Sequence, residues 1–360
     1  MKIIISGGGT GGHLFPALAL ADALSKEYSG CEIIFVGAKN KMEMEIVPNR
    51  GYKIKGLYIS GFHRGEIIRN LFFLFKLFIS LINSFFIIIK NKPDLVIGTG
   101  GFASGPILFC ATIFNIPTLI QEQNSFPGIT NRILGKFVNK VCVSYDNMNR
   151  YFKSSKLSVT GNPIRESILC FNKKQSKSHS FFGLSNKKTV LILGGSLGAH
   201  SINKAVYNLI KNNEFDFNIL WQTGKLYYDK IQSDLILRKE NIKIVPFISE
   251  MDLAFSVADV IVSRAGAITI SELMFVGKPV ILVPSPNVAE NHQYKNAKVL
   301  KDQNAALLIQ DKQVVEDLPK ILFSVIENKQ EIKSLGKNIK AMYNNNAVDK
   351  ILIEIKKILK

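Results

Sequence analysis

Cysteine is scarce in this chain, which has four cysteines among 360 residues, all far apart in the sequence. Cys31, Cys110, Cys142 and Cys170 form no CxxC pair, and their spacing matches no zinc site. A disulfide-stapled secreted scaffold is therefore excluded, and we expect buried thiols in a reducing compartment. The five histidines form no i, i+4 pair, so a histidine-rich zinc site is not supported either.

Acidic residues are also under-represented. The chain has 28 Asp and Glu against 46 Lys and Arg, which gives a net charge of +18. An excess of this size favours an anionic partner, such as a phosphate-bearing ligand, a nucleic acid or an acidic membrane, without choosing among them.

We expect no signal peptide, because the apolar run after Lys2 is only Ile3–Ile5 before glycines begin. We therefore expect a cytosolic protein. Hydrophobic residues make up 47% of the chain, which excludes intrinsic disorder. Its length is more than one hydrophobic core usually serves, so two domains are expected.

Apolar, β-branched runs alternate with helix-length segments along the chain. The first 25 residues indicate a strand at Lys2–Ser6, a glycine turn at Gly7–Gly12 and a helix at Pro16–Ser25. Continuous apolar strands joined by helices indicate a parallel sheet covered on both faces. The same pattern predicts strands at Glu32–Val36, Leu95–Gly98, Thr118–Gln121, Lys140–Ser144, Thr189–Leu193, Phe217–Trp221, Ile242–Val245, Val260–Ser263, Pro279–Val283 and Ala306–Ile309.

The opening pattern recurs after about half of the chain. A polar, lysine-rich run at Asn172–Ser180 is the best linker signal, and beyond it Thr189–Leu193, Gly194–Gly198 and Ala199–Lys211 repeat strand, glycine turn and helix. We therefore predict an α/β fold with two Rossmann-like domains facing one another across a cleft. We expect the domains at residues 1–163 and 164–342, with a C-terminal helix at about 343–360 packing back on the first.

Three glycine-rich loops follow strands and suit phosphate binding. The first contains G-x-G-x-x-G at Gly7, Gly9 and Gly12, and the others lie at Gly98–Gly105 and Gly194–Gly198. Glycine lets the backbone approach a phosphate, and the following helix offers free N–H groups and a positive dipole end. One such loop is also compatible with a tight turn that binds nothing, but three exceed what packing alone requires.

Motifs that would assign these loops to other cofactors are missing. A dehydrogenase carries an acidic residue at the end of its second strand, but here that strand runs into Val36-Gly-Ala-Lys39. His13-Leu14 stands where a P-loop needs lysine followed by serine or threonine. No Asp-x-Asp occurs, so helix dipoles, backbone N–H groups and arginine would have to meet the charge of a diphosphate.

Two polar segments in the second half are candidates for contact with a nucleotide sugar. Thr269 and Glu272 have the spacing of a capping box, so Glu272 either caps a helix or accepts hydrogen bonds from a ribose diol. Asn291–Asn296 offers amide groups suited to sugar hydroxyls, or else is only the polar start of a helix.

The most hydrophobic segment, Ile67–Ile89, is long enough to span a membrane. As a helix it would carry Arg69, Lys76, Ser80 and Asn83 on one polar stripe, and a lysine in mid-segment is costly in lipid. A span, a buried crossover helix and a helix that covers the sheet while dipping into the membrane interface all remain open, and we favour the third. Anionic lipid would be attracted by the basic residues nearby in sequence, Lys53, Lys55, Arg64, Arg69, Lys90 and Lys92.

Seven short motifs, in order, are GGTGGH (8–13), GTGGFASGP (98–106), QEQN (121–124), GNPIR (161–165), GGSLGA (194–199), SRAGAITISE (263–272) and NHQYKNA (291–297). With them the chain resembles, over nearly its whole length, the MurG family of peptidoglycan glycosyltransferases. The resemblance implies a GT-B fold and a metal-independent, inverting transferase without a cofactor. It implies transfer of N-acetylglucosamine from UDP-GlcNAc to the 4-hydroxyl of the muramyl sugar of lipid I, giving lipid II. It also implies a peripheral enzyme at the anionic cytoplasmic face of the bacterial inner membrane, with no nucleic-acid partner.

The resemblance further implies roles for single residues. His13 matches the residue often proposed as general base, and Glu272 is the second candidate catalytic residue. Ile248 matches the position that addresses uracil through its backbone, and Gln293 the glutamine that reads the sugar hydroxyls. The remaining UDP-GlcNAc positions are Thr10, Gly11, Gly12, Asn124, Arg165, Ser196, Ala267, Ile268, Thr269, Ile270 and Ser271. The acceptor diphosphate is expected at Gly9, Thr99, Gly100 and Gly101.

Three alternatives stay open. The chain could be another UDP-sugar-dependent GT-B transferase with a lipid acceptor. It could be an NAD-dependent oxidoreductase, against which the missing acidic residue argues. It could be a non-catalytic basic protein that binds membrane or nucleic acid, but this leaves the glycine loops without a role, and no RNA-binding motif is present.

Overall fold

A computed structural model of the chain describes residues 1–61, 67–169, 176–195, 197–344 and 346–360. The chain divides into two compact units. Unit 1 comprises Met1–Arg165 together with Asn344–Lys360, and unit 2 comprises Glu166–Tyr343.

Unit 1 is a seven-stranded parallel sheet in the order β3-β2-β1-β4-β5-β6-β7. Its strands are β1 (Lys2–Gly7), β2 (Glu32–Ala38), β3 (Lys53–Leu57), β4 (Leu95–Gly100), β5 (Thr118–Glu122), β6 (Lys140–Val143) and β7 (Leu157–Val159). Its helices are α1 (Gly11–Glu27), α2 (Glu43–Asn49), α3 (Ile67–Asn91), α4 (Ser104–Ile113), α5 (Ile129–Leu134) and, from the end of the chain, α15 (Ala347–Leu359).

Both faces of the unit 1 sheet are covered, as β1 illustrates. Ile3 and Ile5 are fully buried in a cluster with α1 and α15, whereas Ile4 packs in the opposite cluster with α3 and α4. Successive side chains of a strand point to opposite faces, so an unbroken apolar run can persist only where both faces are buried.

The last helix belongs physically to unit 1. Ile351 and Ile355 of α15 are fully buried in the cluster that contains α1. Lys140 at the start of β6 also forms an ion pair with Glu354 of α15, with 2.7 Å between Nζ and Oε2. Burial alone would raise the pKa of Glu354, but hydrogen bonds and charge from Lys140 and Lys357 lower it below its ordinary value.

Unit 2 is a six-stranded parallel sheet in the order β10-β9-β8-β11-β12-β13. Its strands are β8 (Thr189–Leu193), β9 (Asn218–Gln222), β10 (Ile242–Val245), β11 (Val260–Ser263), β12 (Val280–Leu282) and β13 (Leu307–Leu308). Its helices are α6 (Glu166–Leu169), α7 (Ser176–Phe182), α8 (His200–Asn212), α9 (Lys225–Gln232), α10 (Met251–Val257), α11 (Ala267–Val276), α12 (His292–Asp302), α13 (Val314–Glu327) and α14 (Lys329–Ala341).

The expected α/β fold with two Rossmann-like sheets is confirmed, and two strands were not predicted. In β3 only Leu57 is buried, and in the three-residue β7 no residue is buried. Both lie at the edges of the sheet, where strands lack the continuous apolar run of the central ones.

The linker expected at Asn172–Ser180 is wrong for its second half. Residues 176–180 belong to α7, in which Ser178 and His179 are buried. Residues 172–175 lie outside the described part of the chain. A polar, lysine-rich run can thus still form a helix that docks with its few inward-facing side chains.

The expectation of four buried thiols holds for Cys110 and Cys142, and burial raises the pKa of the Cys142 thiol to about 12. Cys31, immediately before β2, is only half-buried, so the expectation is wrong for that residue. Cys170 lies outside the described residues. A buried thiol with a raised pKa forms little thiolate and is chemically inert.

Between Phe72 and Asn91, helix α3 has one inward-facing stripe, and most of its large apolar side chains are exposed. Leu81, Ser84 and Ile88 turn inward, and Cys110 of α4 donates from Sγ to the Leu81 carbonyl at 3.5 Å. A helix that spanned a bilayer by itself would leave this stripe without partners. Among the described residues one helical stretch, Phe72–Asn91, is long and apolar enough to cross a membrane, with mean hydropathy 2.3 and 17% of that stretch buried. A wholly buried crossover helix is therefore excluded.

The polar stripe of α3 faces the segment after β3. Ser80 is buried and donates to the Tyr58 carbonyl at 3.0 Å, and Lys76 Nζ donates to Ser60 Oγ at 3.4 Å. Asn83 is exposed instead of sharing these contacts, and the side chain of Arg69 lies outside the described part of the chain. The mid-helix lysine is thus satisfied within unit 1.

Candidate functional site

The first two glycine loops meet where the strand order of unit 1 reverses. Strands β1 and β4 are neighbours, and each is followed by a glycine-rich turn and a helix. Gly100 and Gly101 have φ of +96° and +82°, a region that favours glycine. A Cβ on Gly101 would lie 2.4 Å from the Gly8 carbonyl oxygen, and one on Gly100 would lie 2.8 Å from Nδ1 of His13. The two loops are therefore packed backbone to backbone at the usual ligand position of such sheets.

His13, in the first turn of α1, is held by oxygen acceptors on one side of its ring. Its Nδ1 lies 3.0 Å from the Thr99 carbonyl oxygen and 3.0 Å from Oε1 of Gln123. Gln123 Nε2 donates to the carbonyls of Thr99 and Gln121, which turns Oε1 of the same amide toward the histidine. Nδ1 must then carry the proton, and Nε2 of the neutral ring has the free lone pair that a general base needs.

The loop after β5 is organised around a buried carboxylate. Glu122 is 1% exposed, and its Oε1 accepts from the backbone and the side-chain amide of Asn124 at 2.9 and 3.1 Å. Its Oε2 accepts from Gly128 N at 3.1 Å and from Asn131 Nδ2 at 2.9 Å. Glu122 and Gln123 were not singled out from the sequence, although the QEQN motif contains them.

Three of the positions predicted to bind UDP-GlcNAc lie at the start of α1. Thr10 is the N-cap in an extended conformation and, within the described chain, makes no side-chain capping bond. Gly11 and Gly12 follow as the first helical residues. The Arg165 guanidinium lies 5.9 Å from the ring centroid of Phe15, whose edge would be 3.0 Å from a Cβ on Gly11. Arg165 is thus brought to the same helix start.

Two of the positions predicted to bind the acceptor diphosphate already form hydrogen bonds within the protein. The N–H of Gly9 donates to the carboxylate of Glu43. Thr99 donates from Oγ1 to the His13 carbonyl at 2.7 Å, and its own carbonyl accepts from His13 and Gln123.

In unit 2 the corresponding loops follow β8 and β11, which are neighbours in the sheet. The capping box expected at Thr269 and Glu272 is wrong, because α11 begins earlier: Gly266 is its N-cap and Ala267 its first residue. Thr269 is therefore inside the helix, and Ser271 Oγ bonds back to the Ala267 carbonyl at 3.0 Å. Glu272 lies in the second turn and is 3% exposed, so its carboxylate is not explained as a cap.

Gln222, at the end of β9, links two segments predicted to bind UDP-GlcNAc. The sequence analysis did not identify this residue. Its Nε2 donates to the Gly195 carbonyl at 3.0 Å, and its Oε1 accepts from Ile248 N at 2.9 Å. A ligand that addresses Ile248 through its backbone would have to use the carbonyl oxygen or displace Gln222. Ser196 lies outside the described residues.

Gln293 and Ser285 tie α12 to the loop before it. Gln293 Oε1 accepts from Ser285 N at 2.9 Å, which leaves its NH₂ group as the donor end. Glu290 and Asn291, immediately before α12, have φ of +57° and +51°. Backbone strain of this kind, about 1–3 kcal/mol for a residue in a sparsely populated region, is often concentrated at ligand sites.

Arg264 holds three elements together just ahead of α11. Its guanidinium donates to the Val283 carbonyl at 3.0 Å and to Ser201 Oγ of α8 at 3.0 Å, and it pairs with Asp311. The starts of α8 and α11 are therefore fixed relative to each other.

The predicted residues are divided between the two units. In unit 1 these are Gly9, Thr10, Gly11, Gly12, His13, Thr99, Gly100, Gly101, Asn124 and Arg165. In unit 2 they are Ile248, Ala267, Ile268, Thr269, Ile270, Ser271, Glu272 and Gln293. Among the described residues, no three His, Cys, Asp or Glu side chains are clustered so that they could hold a metal ion.

Family models match both units. Residues 3–143 match the glycosyltransferase family 28 N-terminal domain, and residues 189–351 match the glycosyltransferase family 28 C-terminal domain. The first match covers β1 to β6 of unit 1, and the second covers all six strands of unit 2 and continues into α15.

Full-length relatives carry a specific name. A Flavobacterium psychrophilum protein is 47% identical over 99% of this chain and 98% of its own length, and a Parabacteroides distasonis protein is 44% identical over 99% and 98%. Both are named UDP-N-acetylglucosamine–N-acetylmuramyl-(pentapeptide) pyrophosphoryl-undecaprenol N-acetylglucosamine transferase. The crystal structure of Acinetobacter baumannii MurG is 30% identical and superposes with a TM-score of 0.79 over 99% of both chains.

Replacing Gly101 by alanine tests the packing of the two loops in unit 1. We expect Gly101→Ala to destabilise the protein by about 2–4 kcal/mol, because it adds a steric collision to the strain of a positive φ, which is about 1–2 kcal/mol. Gly30→Ala is the matched control, since Gly30 has φ +74° and a Cβ there would meet no atom within 4 Å. Thermal unfolding of both variants measures the difference, and equal losses would contradict the backbone packing of the two loops.

Proposed function

The chain belongs to glycosyltransferase family 28, and from this premise we infer that it transfers N-acetylglucosamine from UDP-N-acetylglucosamine to undecaprenyl-pyrophosphoryl N-acetylmuramyl-pentapeptide. The acceptor is lipid I and the product is lipid II. The observation that carries this conclusion is the full-length identity of 44–47% with relatives named for that reaction. The attacking group is proposed to be the muramyl 4-hydroxyl, with inversion at the transferred sugar.

Unit 2 is proposed to bind the nucleotide sugar. Gln222 holds the loop at Gly195 and the segment at Ile248 together, as expected for a binding site that is preorganised for UDP-GlcNAc. Glu272 is buried in the second turn of α11 and would accept hydrogen bonds from the ribose diol. The NH₂ group of Gln293 would donate to a sugar hydroxyl.

The departing diphosphate is proposed to be stabilised without a metal ion. The first turn of α11, from Ala267 to Thr269, presents backbone N–H groups at the positive end of the helix dipole. Oriented donors of this kind stabilise developing negative charge without reorganising during the reaction.

Unit 1 is proposed to bind the acceptor diphosphate and to supply the base. Gly100 and Gly101 would offer backbone N–H groups, while Thr99 would act indirectly by fixing His13. With its Nδ1 proton held by oxygen acceptors, His13 would take the acceptor's hydroxyl proton on Nε2 as the C–O bond forms. Such general-base assistance contributes typically about 10²–10⁴-fold.

The exposed face of α3 is proposed to lie in the membrane interface, where the lipid acceptor resides. Phe72, Phe75, Phe78 and Phe86 are each about 62% exposed, and Phe85 contacts Phe114, the residue after α4, at 5.3 Å between ring centroids. Aromatic patches of this extent mark interaction sites. The protein would then act as a peripheral enzyme at the cytoplasmic face of the inner membrane.

The basic end of α3 supports contact with anionic lipid. Lys55 donates to Asn91 at 3.3 Å, and burial together with the charge of Lys90 lowers the pKa of Lys55 below its ordinary value. The lysines therefore lie close enough to interact, and clustered basic residues attract anionic lipid by about 1 kcal/mol each.

Radiolabelled sugar transfer to a lipid I analogue tests the proposed function. We expect transfer from UDP-N-acetylglucosamine at an undiminished rate with EDTA in excess, because the diphosphate charge is met by backbone groups. Loss of turnover with EDTA, restored by magnesium, would contradict the metal-free mechanism. Absence of transfer both with EDTA and with magnesium would contradict the function itself.

Two substitutions at His13 separate its chemical role from its structural one. Asparagine can donate through Nδ2 to Thr99 and Gln123 as the imidazole does, but it has no basic nitrogen, whereas alanine lacks both. We expect His13→Asn to slow the single-turnover rate about 10²–10⁴-fold while retaining wild-type thermal stability and UDP affinity. A single-turnover rate near that of the wild type in His13→Asn would remove this residue as the base.

Flotation with liposomes tests the membrane face. Phe72→Ser/Phe75→Ser removes two exposed aromatic rings, each contributing about 1.5–3 kcal/mol when buried in an apolar medium, so binding to anionic vesicles should weaken at least about tenfold. Phe181→Ser in unit 2 is the matched control, since Phe181 is 56% exposed. Equal binding by the double variant and the control would contradict the proposed face.

A further inference from the structure

A buried carboxylate that the mechanism does not use lies beneath the first glycine loop. Glu43, the first residue of α2, is 0% exposed. Its Oε1 and Oε2 lie 3.1 and 3.0 Å from Gly9 N, and Oε1 also accepts from Ala38 N at 3.0 Å. The ion pairs formed among the described residues do not include Glu43.

Two glycines make the room that this carboxylate occupies. A Cβ on Gly8 would lie 2.2 Å from Oε1 of Glu43, and one on Gly37, near the end of β2, would lie 2.6 Å from its Cγ. No larger residue fits at either position unless Glu43 moves. The acid, the glycine loop and the end of β2 therefore form one fitted assembly.

We propose that Glu43 is a positioning residue for the transfer reaction. By drawing the Gly9 N–H inward, it fixes the path of the loop from Gly7 to Gly12, so that the amides that follow and the His13 imidazole face the substrates. This inference rests on the proposed function for the identity of those substrates.

A carboxylate meets this requirement better than an amide. Three N–H···O contacts converge on two oxygens, and a glutamine would present an NH₂ group to one of the N–H donors instead. Hydrogen bonds to an ionised acceptor are also roughly twice as strong as neutral ones. The anion that satisfies Gly9 is thus supplied by the chain, and the substrate diphosphate has to use other amides of the loop.

Glu43→Gln tests the proposal, with Glu45→Gln as its control. Both substitutions remove one negative charge and leave the length of the side chain unchanged. Glu45 is on the same helix as Glu43 but is exposed. We expect the single-turnover rate of Glu43→Gln at saturating substrates to fall about 10–100-fold, because displacement of reacting groups by about 1 Å has effects of this size. UDP affinity measured by calorimetry should stay within about twofold of wild type, because the nucleotide is proposed to bind unit 2. Glu45→Gln should match wild type in both measurements.

Two results would overturn the proposal: a single-turnover rate in Glu43→Gln within about twofold of wild type, or an equal loss of rate and UDP affinity, which would indicate general damage. If Glu43→Gln does not fold, hydrogen exchange in the wild-type protein decides. The Gly9 amide should exchange at least about 100-fold more slowly than an unstructured amide without any substrate. An unprotected Gly9 amide would overturn the proposal, whereas a wild-type protein with a protected Gly9 and no transfer would contradict only the proposed function.

Discussion

Hydrogen bonds between buried side chains and loop backbone are the interaction on which the candidate site depends. A glycine-rich turn that leaves a strand has N–H groups with no partner in the sheet, and a buried N–H without a partner is costly. In unit 1, Glu43 accepts from such a group in the first glycine loop, and Glu122 accepts from backbone N–H groups of the loop after β5. In unit 2, Gln222 bridges two loops. These side chains fix the conformation of irregular backbone at the carboxyl ends of the strands, where each unit would bind its ligand.

The same interaction explains why the dehydrogenase alternative loses support. A dehydrogenase needs a carboxylate near the end of β2 that is free to accept from ribose hydroxyls. The acid nearest to that strand end, Glu43, is turned inward and occupied by the N–H groups of Gly9 and Ala38. The structure therefore gives a physical reason for the missing signature, which in the sequence was only the absence of an acid after Val36.

Periodicity predicted the central strands and little of what organises the site. Strands such as β1 and β8 are buried on both faces, so their apolar runs are unbroken, whereas the edge strands β3 and β7 have no such run and were missed. Local spacing also misled: Thr269 and Glu272 fit a capping box, but Gly266 begins the helix. Glu43 could not be predicted because it is 34 residues from Gly9 and only the fold brings them together. The motif residues were found through family resemblance, and their roles remain proposals.

The return of α15 to unit 1 has a consequence for how the protein is made. Ile351 and Ile355 complete the apolar face that α1 presents, yet they leave the ribosome only after all of Glu166–Tyr343 has been synthesised. At ribosomal rates of about 5–20 residues per second, the nascent first unit waits roughly ten seconds or more with that surface uncovered. During this interval the chain would depend on chaperones, or on rapid folding of the intervening unit, to avoid aggregation.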